Sequence, residues 1–135
     1  MNREEVGALL AIISSADKRR MFDDLDVTTW HHLVGDCSFA EARDAVVHHY
    51  RSSTQSVMPA EILVRVNKER AKRRESVVEP PAPFDPNTEQ AKCREWSAIW
   101  NHQIGLGATS EAAAAYAMSV VSGHPSSRQA PEVER

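Results

Sequence analysis

Five residues in the first half of the chain carry the chemistry of metal ligands: His31, His32, Cys37, His48 and His49. Imidazole and thiolate are the usual ligands of tetrahedral zinc. Their spacing argues against a site, because adjacent residues on a helix point about 100 degrees apart, and no C-x-x-C or H-x-x-x-H pair occurs. These histidines are expected on solvated or half-buried helix positions, with no metal. Nucleophilic chemistry finds no G-x-S-x-G elbow, no Gly-rich phosphate loop and no H-E-x-x-H. Gly105-Leu106-Gly107 reads more simply as a helix end. The residues predict no enzyme and no cofactor.

Binding chemistry is better represented. Arg65, Lys68, Arg70, Lys72, Arg73 and Arg74 place six cations within ten residues, against Glu69 alone. Such a stripe suits phosphates or an acidic partner, with the salt sensitivity that counterion release brings. The alternative is a solvated helix end whose cations complement the negative end of the helix dipole. No aromatic side chains are interleaved for bases to stack on. Trp96 and Trp100, one helical turn apart with Ile99 beside them, form a second candidate: an anchor for a partner groove, or a packing surface within the chain.

The elements that position these residues are helices. Val6, Leu9, Leu10 and Ile13 recur at helical spacing, with Asn2 as a cap and Glu4 and Glu5 in the first turn, and this helix should end between Ser14 and Asp17. Val27, Trp30, Leu33 and Val34 give a second helix, opened by Asp26 and closed at Gly35. Ser38 and Glu41 form a capping box ahead of Phe39, Ala42, Val46 and Tyr50. Pro59 suits the first turn of a fourth helix, whose apolar side is Ile62, Leu63 and Val66 and whose basic end should project from the bundle. Helices this short are marginal alone, so Trp30 and Tyr50 are expected near the centre of a four-helix domain.

Residues 76–86 contain four prolines and predict a semi-rigid linker. Beyond it, Asp85 and Pro86 can open a helix carrying Cys93, Trp96, Ile99 and Trp100, and Ser110 and Glu111 can open an alanine-rich one that ends at Gly123. The expected organisation is all-α: a helical bundle over 1–75 ending in the basic helix, a linker over 76–86, a helical segment over 87–122 and a disordered tail over 123–135.

At 135 residues, with 6% aromatics and a mean hydropathy of -0.46, the chain has material for one compact domain plus attachments. A net charge of -3 gives no global attraction to nucleic acid or anionic lipid, so such contact must be local. The apolar stretch from Val6 to Ile13 is too short and too acidic at its front for a signal peptide, and no run reaches the roughly 20 apolar residues of a membrane span. Two cysteines, Cys37 and Cys93, make no disulfide framework. A cytoplasmic protein with reduced thiols and no membrane contact is expected.

The opening helix from Leu9 to Ile13, Trp30 with Leu33, Asp36 after a short gap, Phe39, Ala42, Ala45 and Val46, then Tyr50, and finally Pro59 with Ile62 form a connected pattern. It resembles the small helical phage proteins that load, and in isolation inhibit, DnaB-type replicative helicases. The resemblance covers about half the chain, over residues 1–70. It implies an ordered N-terminal bundle, a flexible C-terminal part that contacts the helicase, and delivery of the helicase to an origin-bound initiator. Trp96, Ile99 and Trp100 thereby become candidates for the helicase-facing segment. The strongly basic fourth helix and the alanine-rich last helix depart from the family pattern. Two other readings stand beside a replication adaptor: a small DNA-binding regulator using the basic helix, and a helical assembly protein.

Overall fold

The structure is a computed structural model that describes residues 1–123. The tail expected over 123–135 therefore lies, apart from Gly123, outside the described residues. Among the described residues there are six helices and no strand: α1 (Arg3–Ala16), α2 (Asp24–Val34), α3 (Phe39–Ser52), α4 (Pro59–Glu75), α5 (Gln90–Gly105) and α6 (Ser110–Ser122). None is long and apolar enough to cross a membrane.

The helix starts follow from side chains that satisfy otherwise unpaired backbone donors. Asn2 caps α1 and Ser38 caps α3, each reciprocated by the glutamate three residues on. The same device opens α2 earlier than expected. Its cap is Asp23, and Asp26 is the carboxylate that returns the bond. The α6 cap is Thr109, one residue before the expected Ser110, and Gly123 closes that helix with a left-handed φ of 74°.

Contacts divide the chain into two units, one from Met1 to Lys68 and one from Glu69 onward. In the first, Val6, Leu9, Leu10 and Ile13 of α1 join Trp30, Val34, Ala42, Ala45, Val46, Val57, Ile62 and Val66 in one core. Tyr50, Val27 and Leu63 are half-buried against it. Leu33 is not: it is 49% exposed, because α2 is short and turns its Trp30 and Val34 side inward.

The second unit has its own core of Trp96, Trp100, Ile104, Ala108, Ala113 and Ala117, built where α5 packs on α6. Fully buried alanines on α6 let the helices approach closely enough for two indoles to fill the space between them.

Three details go beyond or differ from expectation. The stretch over 76–86, expected as a semi-rigid linker, packs within the second unit. Val77, Ala82 and Phe84 pack on the second core, the Ser97 hydroxyl donates to the Glu79 carboxylate, and Asn101 Nδ2 donates to Glu79 Oε2 at 3.2 Å. Proline denies the segment helix, but its apolar residues still gain by leaving water. The helix expected from Pro86 begins instead at Gln90, because Asp85 holds a turn: its Oδ1 accepts from Asn87 N at 2.8 Å and its carbonyl from Glu89 N at 2.8 Å. Lastly, the division between units falls within α4, so the basic end of that helix belongs with the second unit and does not simply project from the first.

Candidate functional site

The six cations of α4 do not form one stripe. At about 100 degrees per residue, Arg65, Lys68 and Lys72 share a face, whereas Arg70, Arg73 and Arg74 continue the side that carries Ile62 and Val66. In the second unit, Arg73 Nη1 donates to the carbonyl of Gly105 at 3.0 Å. Arg70 and Arg74 flank the same glycine so closely that a Cβ there would lie 2.9 Å from Arg74 Nη1. Gly105 ends α5, where free carbonyls concentrate negative potential. Half of the basic run thus serves the end of another helix, a role that spacing within α4 alone does not reveal.

The other face stays in solvent. Lys68 and Lys72 are exposed and Arg65 is half-buried. Lys72 Nζ reaches Glu69 at 3.4 Å, one turn back, a surface pair of the kind that contributes little. In the first unit, Arg65 and Lys68 join His48, Ala60, Glu61 and Val64 around a cleft of about 380 Å³ between α3 and α4. Val64 is 70% exposed at this cleft. His49, next to His48 in sequence, sets Nδ1 3.1 Å from Glu61 Oε2 and Nε2 2.7 Å from the carbonyl of Gln55.

Trp96, Ile99 and Trp100 are not an exposed anchor. Trp96 is 2% and Trp100 0% exposed, and their rings stack with centroids 6.4 Å apart and planes 14° apart. Trp100 Nε1 donates to the carbonyl of Ser110 at 3.3 Å, and Ile99 is half-buried against the same core. Of the two readings of this side of α5, its burial in the second core favours packing within the chain.

The remaining ligand-type residues stay apart. His31 and His32 lie edge to face with ring centroids 6.2 Å apart. Cys37 is buried in the first core and Cys93 is half-buried in the second unit. Among the described residues, no three histidine, cysteine, aspartate or glutamate side chains gather as a metal site requires.

One cluster escaped the sequence reading. Asp17, 4% exposed just after α1, accepts two bonds from the Arg19 guanidinium, at 2.8 and 3.0 Å, and one from the Ser56 hydroxyl at 2.7 Å. Tyr50 donates to it as well, at 3.2 Å. Arg19 first, then Ser56, hold this carboxyl far below the usual aspartate range. Every donor comes from inside the first unit, so the cluster reads as structural. Its only signal in sequence is an Asp-Lys-Arg run at a helix end, which many exposed turns share.

Compared with known proteins, the chain matches no family model, no curated protein and no solved structure.

Proposed function

We propose that this chain is a non-catalytic, phage-type adaptor of DNA replication that binds a DnaB-type replicative helicase, as a loader or an inhibitor, in the cytoplasm. One observation carries the reading. Leu9, Ile13, Trp30, Ala42, Ala45, Val46 and Ile62, residues on which the resemblance rests, all lie in one core. Their convergence supports the ordered N-terminal bundle that the resemblance implies. The α3–α4 face with Val64, Arg65 and Lys68 supports a protein-binding role, being apolar and cationic at once. An origin-binding initiator is the second partner in this reading.

The test is capture of a purified DnaB-type hexamer by the full chain, with ATP and with ADP. Stoichiometric capture supports the adaptor. No capture with either nucleotide overturns it.

A DNA-binding regulator is favoured by one specific feature, the exposed Lys68 and Lys72 on a shared face of α4. That reading expects binding to duplex that weakens steeply with salt and is lost in a Lys68→Ala, Lys72→Ala double variant.

A further inference from the structure

The α3–α4 cleft carries an apolar side chain where a solvated helix face would carry a polar one. Val64 is 70% exposed, with Ala60 and Lys68 one turn to either side. The cleft has one carboxylate among its lining residues, Glu61, and that group already faces His49 at 3.1 Å. An incoming molecule therefore meets an apolar floor, Ala60 and Val64, bordered by Arg65, Lys68 and His48.

We propose that this cleft is the docking site for an acidic amphipathic helix of a partner protein. Such a helix presents apolar residues at i, i+3, i+4 and i+7 with carboxylates along their margins, the complement of a valine floor with Lys68 and Arg65 along one side. Nucleic acid fits the same surface less well. Phosphates would contact the exposed Lys68 and leave Val64 and Ala60 facing water, and no Trp, Tyr or Phe lines the cleft for a base to stack on. The proposal rests on the reading of the chain as a protein-binding adaptor, though not on the partner being a helicase.

Isothermal titration calorimetry on the full chain tests it with three probes. These are a designed helix of about 18 residues, long enough to hold its form, with leucines on one face and glutamates elsewhere; its twin with lysine for every glutamate; and a DNA duplex. The expected result is saturable one-to-one binding of the acidic helix alone. Affinity should fall about tenfold or more in Val64→Ser, which adds no charge, and in Lys68→Glu. Both side chains are solvent-facing, so unchanged thermal unfolding of the variants excludes misfolding as the cause.

Absence of saturable binding by the acidic helix overturns the proposal, as does equal affinity in Val64→Ser. Duplex binding that survives Val64→Ser but not Lys68→Glu assigns the surface to DNA and overturns it too. Helicase capture keeps the two readings apart: capture by wild type and Val64→Ser alike sinks this docking site and leaves the adaptor standing. No capture by wild type sinks the helicase reading, and the peptide titration still decides the cleft.

Discussion

The Tyr50 hydroxyl lies 3.2 Å from Asp17 Oδ2 and accepts from the backbone N–H of Val57, also at 3.2 Å. One side chain near the end of α3 thus joins the residue after α1 to the loop that enters α4. Tyr50→Phe removes both bonds and leaves the ring in place. It is expected to lower stability by about 1–2 kcal/mol, since a donor and an acceptor lose their partner together. Chemical denaturation of the variant beside wild type checks this, and an unchanged midpoint would show that water replaces the hydroxyl without cost.

Asp17 also predicts a pH dependence. Its carboxyl is held below its unfolded value by Arg19 and Ser56, so the stability it contributes is fully present above the ordinary aspartate range, about pH 4. That contribution fades as the pH falls further, because the unfolded chain takes up the proton first. Wild type should therefore melt above Asp17→Asn at neutral pH, by on the order of 5 °C, and the gap should narrow between about pH 4 and pH 2. A gap that stays constant through that window would assign the difference to shape rather than charge.

The stacked indoles predict an asymmetry. Trp100→Ala should cost about 3–5 kcal/mol, as large-to-small changes in a core do, and should strip hydrogen-exchange protection from α5 and α6 while α1 to α3 keep theirs. Phenylalanine at the two positions should differ. Trp100 Nε1 has the Ser110 carbonyl as acceptor, whereas Trp96 Nε1 is buried with no partner among the described residues. Losing an unpaired buried donor removes a penalty, so Trp96→Phe should be the milder change.

Ser38→Ala tests the capping box of α3. The Ser38 hydroxyl accepts from Glu41 N at 3.2 Å, and the Glu41 carboxylate accepts from Ser38 N at 3.3 Å. Loss of the cap should cost about 1 kcal/mol, read as a shift in denaturation midpoint. Ser38→Asn, which keeps an acceptor without setting a second carboxylate against Glu41, should recover most of it.

The helices were legible wherever a cap and a periodic face coincided, as at Asn2 and at Ser38 with Glu41. Asp23 was missed because Asp23, Asp24 and Asp26 offer three acids in four positions, and only backbone geometry shows which of them precedes the first turn. What lies over a face was harder to read than the face itself. Trp96 and Trp100 share a side by spacing, but that Ala113 and Ala117 cover them depends on how α6 returns, which no local pattern specifies. The proline content of 76–86 likewise dictates extended backbone and is silent on where Val77, Ala82 and Phe84 come to rest. In α4 the charge run was plain, whereas its partition between solvent and Gly105 is a tertiary fact. The α3–α4 cleft was half visible, its cations in the sequence and its exposed valine only in the fold.

The placement of the aromatic residues gives the protein built-in optical reporters. Of its three tryptophans, Trp30 lies in the first core with Phe22 edge-on at 5.9 Å, and the other two form the near-parallel pair of the second. Indoles that close couple through their strong far-ultraviolet transition, so the pair should add an exciton contribution to the far-ultraviolet circular dichroism that Trp30 cannot produce, while Trp30 contributes an ordinary single-chromophore signal. Each core therefore has a spectroscopic signature of its own, and the loss of one can be followed in the presence of the other without attaching a dye.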